Sequence, residues 1–231
     1  METNDAWVAL TAPRRRTSIL VACVAVCALA VFTWLAVQPG APSAQTKIVQ
    51  WLNDPPQPFA AILSIANPLL RPIPLSLIAV ALLAWVLVAA RFRSSRLEVL
   101  RALVIAFVIA EILAQGLKLV VDKPRPIAVI DNLDRHGYPG TPLGSGFPSA
   151  HAAVVVGLVC ALWPWMRWAQ RLVAALLVVV ICFDRIYIGA HWPLDVLGGI
   201  AIGFIAGAVV WLVASRWPIH PRTDGAAQVS T

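Results

Sequence analysis

Asp184-Arg185-Ile186-Tyr187-Ile188-Gly189-Ala190-His191-Trp192-Pro193-Leu194-Asp195 separates two long apolar runs, 172–188 and 193–215. Two acids, a guanidinium and an imidazole fall where a chain leaves one apolar segment and enters the next. On insertion scales a charge at mid-bilayer costs about 2.5–3.5 kcal/mol, so charges kept beside spans mark a candidate functional site. Pro193 suits the first turn of a helix, because its missing N–H would have no partner there anyway. A helix starting at Pro193 puts His191 at its mouth and Asp195 about one turn on. A carboxylate that holds one imidazole nitrogen leaves the other to attack or to take a proton. Arg185 adds a fixed positive charge. A plainer reading stays open here, in which the arginine and histidine simply cap helix ends at the membrane surface.

The rest of the chain makes the membrane reading firm. Of its 231 residues 60% are hydrophobic and 13% charged, with a mean hydropathy of +0.80, outside the range of soluble globular domains. Working outward, the expected spans are 17–37, 72–90, 97–121, 149–165, 172–188 and 193–215. The predicted fold class is therefore all-α, a polytopic membrane protein with six transmembrane helices in one bundle. The basic flank Arg14-Arg15-Arg16, the first run and Ala41-Pro42-Ser43-Ala44 also resemble a signal peptide. An uncleaved span is preferred, since an h-region has only about 7–15 residues. Segment 38–71, with six prolines, reads as a connector lying on or dipping into the membrane face. Gly199, Gly203 and Gly207 recur every fourth residue, a smooth face for close helix packing.

Net charge is +7. In such a chain this points to membrane orientation rather than to nucleic acid, and no nucleic-acid partner is expected. Arginines at 14–16, 91–101 and 167–171 and in the tail all fall on one side, which the positive-inside rule assigns to the cytoplasm. The connector, the 122–147 loop and the Arg185–His191 turn then face outward. Lys118, Lys123, Arg125 and Arg185 lie on that outer side against the rule, which suggests a role other than orientation.

Three clusters share this outer face: Lys118-Leu119-Val120-Val121-Asp122-Lys123-Pro124-Arg125-Pro126, then Pro148-Ser149-Ala150-His151, then the opening stretch. Pro148-Ser149 reads as a helix start, whose free N–H groups and dipole favour an anion. Two histidines, one beside an acid, suit a nucleophile and a general acid. The cations suit a phosphoryl group balanced without a metal, and no acidic cluster suggests a magnesium site.

In this order, K-x6-R-P, P-S-x-H and R-x5-H-x3-D resemble the type 2 phosphatidic acid phosphatase family, membrane relatives of the vanadium haloperoxidases. The resemblance implies that Lys118, Arg125 and Arg185 bind phosphate oxygens, with Ser149 and the Ala150 backbone adding hydrogen bonds. It implies that His191 attacks phosphorus with Asp195 orienting it. His151 would protonate the leaving group and then activate water. It further implies a lipid phosphatase acting on phosphatidic acid, phosphatidylglycerol phosphate or a polyprenyl diphosphate, with no metal or other cofactor. The expected organisation is a cytoplasmic segment 1–16, a six-span phosphatase domain 17–215 with its motifs at 118–195, and a cytoplasmic tail 216–231. The expected location is a bacterial cytoplasmic membrane, with the site facing the periplasm or exterior. Two departures stand out: Ala150 replaces the usual glycine and Asp184 the usual serine. Each bears on the phosphate contacts, and neither removes a catalytic group.

Other residues get plainer readings. The four cysteines are small buried apolar residues, Lys123 is a solvated loop lysine, and His136 and His220 are exposed. Glu111 and Gln115 form an inter-helix hydrogen-bond stripe, and the tryptophans near span ends, Trp192 among them, are interfacial anchors. Two rival functions remain: a phosphotransferase using the same intermediate, and an anionic-lipid transporter or flippase.

Overall fold

The structure, a computed structural model, describes residues 15–38, 41–69, 93–134, 136 and 144–214. Among the described residues it is all-helical, with no strand. Helices α1 (Arg15–Ala36), α2 (Ala41–Asn53), α3 (Phe59–Leu69) and α4 (Arg93–Val120) come first. The short α5 (Pro126–Val129), α6 (Ala150–Leu162) with a 3-10 turn at Trp163–Trp165, α7 (Trp168–Tyr187) and α8 (Pro193–Ala214) follow. The helices cover five of the six expected spans. The sixth, 72–90, lies outside the described residues, as do segment 1–14, the tail 216–231 with His220, and Arg91. Among the described residues, three stretches, Arg15–Ala36, Glu98–Val120 and Pro193–Ala214, are long and apolar enough to cross a membrane, and Ala150–Trp165 is a shorter apolar helix.

Helix α8 is the axis of the bundle and packs along α6, α1 and α4. The glycine stripe makes this possible. A methyl added at Gly203 would lie 2.5 Å from Val156 Cβ, and one at Gly199 or Gly207 would run into Ser149 or Cys160 of α6. Across the same contact, Gly157 of α6 faces Ala206 of α8 and Ala110 of α4. Small residues let the backbones approach where lipid supplies no hydrophobic drive between helices. The packing role expected for the stripe is the one it has.

The connector contains two short helices, neither long enough for a span; Pro42 and Pro58 sit in the first turn of α2 and just before α3, positions where proline is tolerated. Helix α2 packs into the bundle. Its Val49 and Leu52 are buried in a cluster with Cys182, Ile186, Trp192 and Val196. Its Gln45 Oε1 accepts the Leu194 N–H of α8 at 2.9 Å, capping an orphan donor of that helix. Asn53 Nδ2 donates to Tyr187 O at 2.6 Å and Asp134 O at 2.8 Å, and Asn53 Oδ1 accepts the Asp134 N–H at 2.9 Å. His136 closes this clamp. Its ring stacks on Tyr187 at 3.7 Å and its Nε2 donates to Asn53 O at 2.8 Å, so it is not the exposed residue the sequence suggested. The clamp ties α2 and the loop after α5 to the end of α7.

Other plain readings also change. Cys23 and Cys27 are exposed on α1, whereas Cys160 and Cys182 are buried. Glu111 and Gln115 bond one another at 2.9 Å along α4 rather than across helices.

Candidate active site

The last turn of α4, the start of α6, the end of α7 and the start of α8 meet at one end of the bundle. His191 lies in the turn between α7 and α8 and is buried. The turn bends at Gly189, whose φ of +68° is costly for any residue with a Cβ. Its carbonyl accepts the Ile127 N–H at 3.0 Å, and the His191 N–H donates to Arg185 O at 3.1 Å. The His191 ring is held by its Nδ1, which donates to Gly146 O at 2.8 Å. A carbonyl can only accept, so Nδ1 carries the proton and the lone pair is on Nε2. Nε2 stands 3.4 Å from Arg125 Nη1.

Asp195 Oδ2 is 3.7 Å from the same Nδ1. The carboxylate faces the ring, while the Gly146 carbonyl makes the short contact. Asp195 is fully buried. Its Oδ2 accepts the Trp192 N–H at 2.8 Å, and its Oδ1 pairs with Lys123 Nζ at 2.8 Å. Burial pushes His191 below the ordinary histidine pKa. The Asp195 charge pulls the other way without prevailing, and Arg125 and Lys118 add to the lowering. The ring therefore stays neutral, with Nε2 unprotonated, at neutral pH.

The other predicted site residues gather around it. Ser149 caps α6, its Oγ accepting the Ala152 N–H at 3.5 Å. Its backbone N–H donates to Asp195 O at 2.9 Å, tying α6 to α8. Ala150 opens the helix and His151 follows in its first turn. His151 lies within electrostatic reach of Arg185, His191, Lys118 and Arg125. Arg125 spans the site, donating from Nη1 to Ala190 O at 3.0 Å and from Nη2 to Ser145 O at 3.3 Å. Lys118, in the last turn of α4, is within reach of Arg125 and Asp195. Arg185, at the end of α7, is buried and paired with Asp184 through Nε at 3.0 Å and through Nη2. The unusual acid is thus turned onto the adjacent arginine.

Two residues are more central to this geometry than the sequence reading made them. Lys123 is 4% exposed and ion-paired with Asp195, not solvated. Gly146 contributes a backbone carbonyl, which leaves no side-chain trace. A Cβ there would stand 3.0 Å from Asp195 Oδ2 and 3.3 Å from Lys123 O, so the close approach requires glycine. Trp192 is a third revision. It is fully buried over the site, its Nε1 donating to Pro124 O at 2.8 Å, rather than anchored at the interface. Among the described residues no three His, Cys, Asp or Glu side chains group as a metal site.

The apolar helices thus carry a cluster of buried charged and polar side chains at one end, the arrangement of a multi-pass membrane protein with a polar site. The chain belongs to the PAP2 superfamily, whose family model matches residues 99–218. Among its relatives, YbjG of Escherichia coli is 28% identical over 162 residues, covering 69% of this chain and 76% of that protein. The undecaprenyl-diphosphatase of Sulfolobus acidocaldarius is 32% identical over 121 residues, covering 51% of this chain and 56% of that protein. The fold is similar to the crystal structure of a PAP2-type phosphatidylglycerolphosphate phosphatase from Bacillus subtilis. That match has a TM-score of 0.65 at 17% identity and covers 86% of this chain and 98% of that one.

Proposed function

We propose that this protein is a lipid phosphatase that removes phosphate from a lipid diphosphate or lipid phosphate monoester through a phosphohistidine on His191, without a metal ion. The observation that carries this reading is the His191 ring, pinned through Nδ1 with its Nε2 lone pair turned toward Arg125. A phosphoryl group held by Lys118, Arg125 and Arg185, with Ser149 and the Ala150 N–H at the α6 N-terminus, lies in line for attack. Nε2 forms the new bond to phosphorus, and the bond to the leaving oxygen breaks. His151 gives that oxygen a proton, then takes one from the water that attacks the phosphohistidine, releasing phosphate and restoring His191. Asp195 steadies the positive charge that grows on the ring.

The lipid tail stays among the helices while the headgroup enters at the membrane surface. A polyprenyl diphosphate is the favoured substrate, supported by the name of the Sulfolobus relative; phosphatidic acid and phosphatidylglycerol phosphate are the other members of the class. The proposed arrangement has six spans within 17–215, with 1–16 and 216–231 cytoplasmic. The site faces the outside of a bacterial cytoplasmic membrane, following the distribution of arginines. The test is phosphate release by purified protein across a panel of lipid phosphates and diphosphates in excess EDTA. Release from at least one lipid in EDTA is the expected result. Activity that disappears in EDTA and returns with magnesium would overturn the metal-free reading. Transfer of phosphate to an added alcohol in preference to water would make the protein a phosphotransferase.

A further inference from the structure

Lys123 stands outside the machinery assigned above, yet it is the most thoroughly buried lysine among the described residues and contacts both groups that face His191 Nδ1. Its Nζ is 2.8 Å from Asp195 Oδ1 and 5.7 Å from the centre of the Trp192 ring. Its carbonyl accepts the Gly146 N–H at 2.7 Å, and its own N–H donates to Ser145 Oγ at 3.3 Å. Two acceptors face His191 Nδ1: the Gly146 carbonyl at 2.8 Å and Asp195 Oδ2 at 3.7 Å. Lys123 anchors both, one through its backbone and the other through its ammonium. A buried ammonium beside a buried carboxylate persists only where each offsets the desolvation of the other, and Lys118, Arg125 and Arg185 are already available for phosphate.

We propose that Lys123 is a positioning residue for catalysis, acting through Asp195 on His191 rather than on the substrate. Its ammonium fixes the carboxylate with one oxygen toward the ring. It also balances part of the negative charge, so that Nδ1 keeps its proton on the Gly146 side and the ring stays neutral before attack. The inference rests on His191 being the nucleophile.

The charged and titratable groups around His191 are Asp195 on α8, Lys123 and Arg125 in the loop before α5, Lys118 on α4, His151 on α6 and Arg185 on α7. Removing the Lys123 charge leaves Asp195 unbalanced, which favours the imidazolium. The acid limb of the kcat profile should therefore move to higher pH. The experiment compares Lys123→Met, Lys123→Arg, Asp195→Asn and the Lys123→Met/Asp195→Asn double variant of the full chain, on one lipid-phosphate substrate. Lys123→Met should lower kcat about 10- to 100-fold, by analogy with the loss of groups that orient metal-binding side chains. Its KM should stay within about twofold, because no substrate contact is removed. Lys123→Arg should recover most of the rate. The double variant should lose no more than Asp195→Asn alone, because with the carboxylate gone Lys123 has nothing left to position.

An increase in KM at unchanged kcat, an acid limb that does not move, or additive losses in the double variant would each overturn the proposal. If Lys123→Met does not fold because Asp195 is left buried and unpaired, the double variant, which has no buried charge there, decides by the same comparison with Asp195→Asn. Full activity in His191→Ala would instead remove the nucleophile reading and the proposal with it, an outcome distinct from any Lys123 result.

Discussion

Two buried acids flank the turn that carries His191, and their surroundings differ. Asp195, at the start of α8, has both oxygens engaged, Oδ1 by Lys123 and Oδ2 by the Trp192 N–H. Asp184, near the end of α7, gives Oδ2 to Arg185, while its Oδ1 has no hydrogen-bond partner among the described residues. A carboxylate held from two directions, one of them backbone, can serve as a fixed reference for a neighbouring ring. One held only by the adjacent arginine competes with any anion that needs that arginine. The first acid is fixed beside the His191 ring, and the second is held against Arg185. The same residue type on either side of one turn thus acquires different surroundings from its partners.

The comparison breaks most visibly at Asp195. Asp195→Asn keeps the shape and removes the charge. Because the Gly146 carbonyl still holds Nδ1, we expect kcat to fall about 10²-fold, short of the roughly 10⁴-fold loss when a carboxylate is the sole partner of a catalytic histidine. A loss near 10⁴-fold would mean that Asp195, not Gly146, sets the tautomer. The pH dependence carries a sign. Burial already lowers His191, so the acid limb of kcat/KM for the unaltered protein should lie below about 6.5. Asp195→Asn removes the charge that favours the imidazolium, so it should move that limb further down. An upward move would contradict the electrostatics described here.

Asp184 should give the smaller effect, and in binding rather than turnover. Vanadate resembles the transferring phosphoryl group and should inhibit. Asp184→Asn removes the negative charge paired with Arg185, so inhibition should tighten about fivefold, equivalent to about 1 kcal/mol. Weaker inhibition would show that Asp184 positions Arg185 instead of competing for it.

Much of this was legible in the chain. Pro193 and Ser149 announced their helix starts because proline and serine have chemical reasons to sit there. The spacing from His191 to Asp195 carried one helical turn, and the glycine stripe carried its packing role. What escaped had physical reasons. Gly146 acts through a carbonyl, which every residue has. Lys123 sits in a loop and next to an exposed acid, Asp122, a context in which lysine is usually solvated. It is nevertheless buried against Asp195, and the neighbouring Pro124 carbonyl is held by Trp192. The two helices of the connector were not read from its prolines, although Pro42 and Pro58 occupy helix starts. His136 was read as exposed because its partners, Asn53 and Tyr187, are distant in sequence.

The central claim is that His191 Nε2 becomes covalently bonded to phosphorus. The direct measurement is a rapid quench of the purified protein with a lipid substrate radiolabelled in its terminal phosphate, followed by peptide mapping. The account predicts label on the peptide containing His191, stable in alkali and lost in acid as a phosphoramidate linkage is, and absent from His191→Ala. Turnover by the unaltered protein with no label trapped, or label on a different residue, would contradict it.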